Sequence, residues 1–192
     1  MNNLSSNQSN NSVEIPNLSW LLQRPARLLA FGFGSGLSPA APGTVGTLWA
    51  WFMALLFQNI WNEPAPEFIV GFLAFGFVIG VVVCGITGND LGKPDHGGMV
   101  WDEVIAFWII MALMLPTSFV NQLIAFAIFR YFDAVKPGPI GMIDNWFKEW
   151  RPSESLSAWQ VTAIRGFGVM IDDLAAALAT LLAIALAIRL FG

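Results

Sequence analysis

Charge is what this chain has least of. Only 11% of its 192 residues are Asp, Glu, Lys or Arg, while 56% are apolar; a soluble globular domain carries about 25% charged residues. The chain is therefore expected to lie in a bilayer or tightly on one. The formal net charge is −4 and the Lys and Arg residues do not cluster, which excludes the phosphate-backbone binding that a nucleic-acid partner demands. A lone cysteine, Cys84, leaves no partner for an internal disulfide and no set for a Cys-based zinc site. It sits in an apolar run and reads as a small buried hydrophobe. The chain has no Gly-x-Ser-x-Gly elbow, no Cys-(x5)-Arg loop and no Walker lysine after a glycine loop, which argues against serine, cysteine and nucleotide-dependent mechanisms. No repeat of fixed period is visible. Residues 1–17 are rich in Asn and Ser and lack the basic and apolar regions of a cleavable signal peptide. They are predicted to form a disordered tail ahead of a single domain, 18–192.

What is abundant is hydrocarbon. Leu18–Phe31 mixes large apolar residues with Arg24 and Arg27 and suits a short interfacial helix, bent or restarted at Pro25. Phe68–Asn89 is uncharged and long enough to cross about 30 Å of hydrocarbon. Val104–Phe129 is also uncharged, but Pro116 splits it, leaving open a helical hairpin or a re-entrant pair. Asp133–Arg165 reads as a polar interfacial loop, and Leu174–Leu190 as a last apolar helix. The predicted fold is all-α: an integral membrane bundle with four to five membrane-embedded helices, at roughly 46–61, 68–87, 103–115, 118–132 and 173–190. That topology puts Arg24, Arg27, Lys93, Arg130, Lys136, Lys148, Arg151 and Arg165 on one side and only Arg189 on the other, and all the acids except Glu63 and Glu67 on the first side. The positive-inside rule makes that side cytoplasmic.

The single histidine lies in Asp95-His96-Gly97-Gly98-Met99-Val100-Trp101-Asp102-Glu103, between two apolar runs. Ionisable groups beside such sequence are costly, so this cluster points to a reaction site. A second doublet, Asp172-Asp173, precedes the last apolar run. Each doublet is predicted to open a helix, where the dipole alone favours acids, and either one by itself reads as a cap. Together with Asp90, Asp95, Asp133 and Asp144, and with few cations, they repel one another unless something positive sits among them. A hard divalent cation suits carboxylate oxygens, and Mg²⁺ is the usual one when a phosphate completes its shell. The candidate metal ligands are Asp102, Glu103, Asp133, Asp172 and Asp173, and the candidate catalytic residues are Asp95, His96, Asp102 and Asp172. His96 also reads as an ordinary loop histidine.

Gly32–Thr47 is rich in glycine, proline and small hydroxyls and feeds the apolar stretch Leu48–Ile60. Gly34, Ser35, Gly36 and Thr44 are candidates to cradle a phosphate at a helix N-terminus; a tight turn with close helix packing is the alternative. Lys93, Arg130, Lys136 and Arg165 are candidate phosphate clamps, with attraction to anionic lipid as their alternative role.

Four ordered motifs carry a resemblance. Phe31-Gly32-Phe33-Gly34-Ser35-Gly36-Leu37-Ser38-Pro39 with Pro42-Gly43-Thr44, Asp95-His96-Gly97 with Val100-Trp101-Asp102-Glu103, Phe129-Arg130-Tyr131-Phe132-Asp133 with Lys136-Pro137, and Gly168-Val169-Met170-Ile171-Asp172-Asp173 closely resemble the phosphatidylglycerophosphatase A family of bacterial inner membranes. The resemblance runs from about Trp20 to the C-terminus; the N-terminal tail and the Asp144–Gln160 insert look less family-like. It implies a Mg²⁺-dependent lipid phosphatase, its site on the cytoplasmic side of the inner membrane, that converts phosphatidylglycerophosphate in the bilayer to phosphatidylglycerol and phosphate, with no nucleotide or nucleic acid involved. Alternative readings are an ion or proton transporter using the same acids, a phosphatase of another lipid phosphate such as phosphatidic acid, and a non-catalytic membrane scaffold.

Overall fold

The computed structural model describes residues 15–60 and 64–191. Most of the expected N-terminal tail, and Glu63, lie outside the described residues. Among those described, the ordered elements are all helical: α1 (Leu18–Leu22), α2 (Pro25–Ala30), a 3₁₀ segment (Gly32–Leu37), α3 (Pro42–Ile60), α4 (Pro66–Asp90), α5 (Trp101–Met114), α6 (Phe119–Val135), α7 (Pro139–Glu149) and α8 (Ala158–Phe191). Asn17 caps α1 by accepting from the Trp20 N–H at 2.9 Å, and α2 restarts with Pro25 in its first turn, where a missing N–H costs nothing. Arg27 pins this hairpin to the end of α4. Its Nε donates to Asp90 at 2.8 Å, its guanidinium stacks 4.1 Å over the Trp20 ring, and Arg24 reaches the same carboxylate at 3.1 Å.

Two helices, Pro66–Asp90 and Ala158–Leu190, are long and apolar enough to cross a membrane. The Pro116 break is present: α5 ends at Met114 and α6 begins at Phe119 after the Ser118 cap. With 14 and 17 residues, the two helices measure about 21 and 26 Å. Exposed apolar rows recur every fourth residue, Leu48, Phe52, Leu56 and Ile60 on α3 and Leu178, Leu182, Leu186 and Leu190 on α8. Surfaces of that extent suit a lipid environment better than water.

Three boundaries differ from the sequence expectation. Asp133–Arg165 is not a loop: it contains the end of α6, all of α7 and the first turns of α8. The last helix begins at Ala158 rather than near Leu174, so Asp172-Asp173 lies about four turns inside it and is not a helix-opening cap. Pro42–Thr47 is likewise already helical. The reason α8 starts early is its packing on α4. A Cβ on Gly166 would sit 1.8 Å from the Val81 carbonyl oxygen, and one on Gly85 would sit 2.3 Å from that of Thr162, so the two backbones touch as small-residue helix pairs do. Asn89 donates to the Thr162 hydroxyl at 2.7 Å, which satisfies polar groups that a hydropathy window counts as interruptions.

Replacing Gly166 with Val should separate these backbones and destabilise the fold by about 1–3 kcal/mol or more. A thermal melt in detergent showing no loss would refute the seam.

Candidate active site

The N-terminus of α5 is held in place before its acids are. Val100 N–H donates to the Ala30 carbonyl at 2.8 Å and Trp101 Nε1 donates to the Gly76 carbonyl at 3.0 Å. With Trp101 turned onto α4, Asp102 and Glu103 project from other sides of the same turn and meet Asp173 from α8. One carboxylate oxygen from each lies within 4.8 Å of the other two, and all three residues are at most 9% exposed. Asp102 Oδ1, Glu103 Oε2 and Asp173 Oδ2 are buried without a hydrogen-bond partner, as is Asp172 Oδ1. Buried anions left this way are strongly destabilising unless a counter-charge is supplied. An all-oxygen set with unsatisfied lone pairs converging from two helices fits a hard divalent cation.

Two cations border the triad. Arg130 Nη1 reaches Glu103 at 3.3 Å and the Thr47 hydroxyl at 3.4 Å, and bonds Asp133. Asp133 is thus placed against Arg130 at the edge of the acid group. Lys136, at the C-cap of α6, takes the left-handed conformation at φ 47°, which costs a non-glycine residue about 1–2 kcal/mol. Its ammonium bonds Asp172 and lies 2.8 Å from Asp144, which also accepts from Lys148 at 2.8 Å; Lys148 stands 3.4 Å from Asp95. Burial works against the Lys136 charge, yet Asp172 and Asp144 hold its pKa above the ordinary lysine value. Burial likewise opposes ionisation of Asp144, but hydrogen bonds from Lys136 and Lys148 keep its pKa below the usual carboxylate range.

The glycine-rich segment divides. Gly43 is a close approach: a Cβ there would lie 2.0 Å from Glu103 Oε1 and 3.0 Å from Arg130 Nη2, so the first turn of α3, which includes Thr44, abuts the site. Gly36 packs instead on the Gly98 carbonyl, Ser35 donates to the Gly32 carbonyl at 2.9 Å, and Gly34 has open space around it. His96 Nδ1 accepts from the Gly98 N–H at 3.0 Å, so the neutral ring carries its proton on Nε2. Burial, then the nearby Lys93 charge, lowers its pKa. Asp95 pairs with Lys148 rather than joining the triad. Lys93 and Arg165 line a separate cavity with Asp172.

Asp144, Lys148 and Arg151 line the same cavity; the sequence marks Asp144 only as one of the neighbouring acids, and Lys148 and Arg151 only as charges on the cytoplasmic side. Lys148 follows Asp144 by four residues, an i,i+4 helix pair, and that spacing was the available signal.

The family model for phosphatidylglycerophosphatase A matches residues 28–153. The chain belongs to the phosphatidylglycerophosphatase A family. It is 37% identical over 157 residues to the phosphatidylglycerophosphatase A of Haemophilus influenzae, covering 82% of this chain and 85% of that one. It is 38% identical over 156 residues to that of Escherichia coli, covering 81% and 78%. A Bacteroides thetaiotaomicron protein provisionally named a phosphatidylinositol-3-phosphatase is 33% identical over 177 residues, covering 86% and 94%. No solved structure matches. Family membership makes the chain a phosphatase, and the motif containing Asp102 and Glu103 lies within the matched span.

Gly43→Ala should displace the flexible Glu103 side chain and lower activity more than stability; equal activity in the variant would remove the α3 contact from the site. Lys136 contributes stability below about pH 10.5 that fades as pH rises through its raised folded value. The Asp144 share is present above about pH 3.8 and fades as pH falls through its lowered folded value. Lys136→Met should therefore cost about 3 kcal/mol across the neutral range, with the deficit shrinking in acid. A deficit independent of pH down to acid unfolding would contradict this.

Proposed function

We propose that this chain hydrolyses the terminal phosphate monoester of phosphatidylglycerophosphate, giving phosphatidylglycerol and inorganic phosphate. The observation that carries the reading is the buried set Asp102, Glu103 and Asp173, with unpartnered oxygens from two helices, in a chain that belongs to the phosphatidylglycerophosphatase A family. These three residues would hold Mg²⁺, with Asp133 and Asp172 at its margin. When bound, the ion polarises a phosphoryl oxygen and acidifies a coordinated water.

The chain's own groups do the remaining work. Arg130, held between Glu103, Asp133 and Thr47, and Lys136 draw in phosphoryl oxygens. Asp172 Oδ1, buried and without a partner, accepts the proton of the attacking water. His96, neutral with its proton on Nε2, orients by hydrogen bonding rather than by giving up that proton. Attack of the water oxygen in line with the departing glycerol oxygen forms one P–O bond and breaks the other, with charge building on the phosphoryl oxygens, and the departing oxygen takes up the proton that Asp172 received. Asp95 acts at a remove by holding Lys148.

In this reading residues 18–192 form one phosphatase domain of the bacterial inner membrane. Four to five helices are embedded, α3, α5 and α6 alongside the two long ones, and the acidic end faces the cytoplasm. The lipid-suited rows on α3 and α8 and the charge asymmetry support that placement. Ion transport would need ionisable groups continuing across the bundle, but α5 has none after Glu103 and α8 none between Asp173 and Arg189.

Purified protein in mixed micelles should release phosphate from phosphatidylglycerophosphate with Mg²⁺ and stop with chelator. Asp102→Asn and Asp173→Asn should each lose at least about a hundredfold in kcat, the scale of losing a principal electrostatic contact in the transition state. Full activity in chelator, or in either variant, defeats the metal assignment. Preference for phosphatidic acid or a phosphoinositide defeats the substrate assignment.

A further inference from the structure

A second cavity, about 430 Å³, opens beside the carboxylate group, between the loop after α4, α7, the 150–151 segment and α8. Its walls carry four cations, Lys93, Lys148, Arg151 and Arg165, together with Asp95, Asp144 and Asp172. The acids are already engaged: Asp144 and Asp172 by Lys136, which stands outside the cavity, and Asp144 and Asp95 by Lys148. Lys93, Arg151 and Arg165 have no carboxylate partner among the described residues. Arg165 is also set in position. Its Nη1 donates at 3.2 Å to Asn89 Oδ1, and Asn89 is itself fixed by donating to Thr162 at 2.7 Å. The cavity thus has surplus positive charge, part of it pre-oriented, as an anion site requires.

Asp172 and Asp173 connect the two compartments. Adjacent residues of a helix point about 100° apart with Cα atoms about 3.8 Å apart. Asp173 belongs to the triad, while Asp172 lies on the cavity wall. A ligand with two phosphates joined through one glycerol can therefore place one at the triad and the other in the cavity.

We infer that this cavity is a second phosphate subsite, binding the phosphodiester of the lipid headgroup that is not cleaved, so that Lys93, Arg151 and Arg165 select a two-phosphate headgroup over a one-phosphate lipid. The inference rests on the proposed substrate. Lys148 and Asn89 are positioning residues, Lys148 by neutralising Asp144 and Asp95, Asn89 by holding Arg165.

The test compares Lys93→Gln, Arg151→Gln and Asn89→Ala with wild type and with Arg189→Gln, a charge-matched control at the far end of α8. Each cavity variant should raise KM for phosphatidylglycerophosphate about tenfold, the scale of one charge-assisted contact, with kcat held within about twofold. The preference for that lipid over phosphatidic acid should fall by a similar factor, and the control should do neither. A parallel rise in KM for both lipids would mean general attraction of anions and overturn the inference, as would no rise at all. A second readout needs no turnover: glycerophosphoglycerol, a soluble phosphodiester, should raise the melting temperature of wild type in detergent but not of Arg151→Gln. Protection by inorganic phosphate instead of the diester would make the cavity a product site and also overturn the inference. If wild type binds the diester through Arg151 yet fails to cleave phosphatidylglycerophosphate, the subsite stands and the proposed function falls.

Discussion

The structure turns on anionic oxygens buried where α5 crosses α8. Asp102, Glu103 and Asp173 are enclosed by apolar helices and held close enough to repel, and one buried oxygen of each has no hydrogen-bond partner. Arg130 and Lys136 offset part of that charge from α6, each already shared between carboxylates. Such a group persists only because the surrounding fold is strong enough to hold it, and it has unmet capacity for a cation.

What holds it is close packing of α5 and α8 against their neighbours, α4 and α3. The glycine seam between α4 and α8 sets the depth at which Asp172-Asp173 arrives. Trp101, bonded to the Gly76 carbonyl, sets the rotation of α5 and so the direction of its acids. Gly43 admits the first turn of α3 against Glu103. Trp101 immediately precedes the α5 acids, Gly166 lies about two turns before Asp173 on α8, and Gly43 touches Glu103 directly, so the scaffold contacts are made by the helices that carry the site or border it.

Several of these features were readable in advance because they are local. The Pro116 break, the restart at Pro25, the uncharged span of α4 and the acid doublets are all properties of neighbouring residues. The misreadings share a cause. Taking Asp172-Asp173 as a helix start, and the preceding stretch as a loop, treated polar residues as exposed, whereas Thr162, Asn89 and Arg165 satisfy one another across the α4–α8 contact. Asp144 fell in an insert that looked less family-like, and its link to the site runs through Lys136 at the end of α6, which also bonds Asp172 on α8.

Composition and the order of motifs were enough to establish an all-helical, lipid-suited chain of the phosphatidylglycerophosphatase A family, because hydropathy, helix breaking and motif identity are encoded residue by residue. Which acids converge was decided only by tertiary packing. Asp102, Glu103 and Asp173 form one set, Asp133 stands at its edge sharing Arg130 with Glu103, and Asp95 turns away to Lys148. That choice depends on the rotation and depth of helices far apart in the chain, and those are fixed by the glycine seam of α4 with α8 and the Trp101 bond to α4, contacts that no single segment contains.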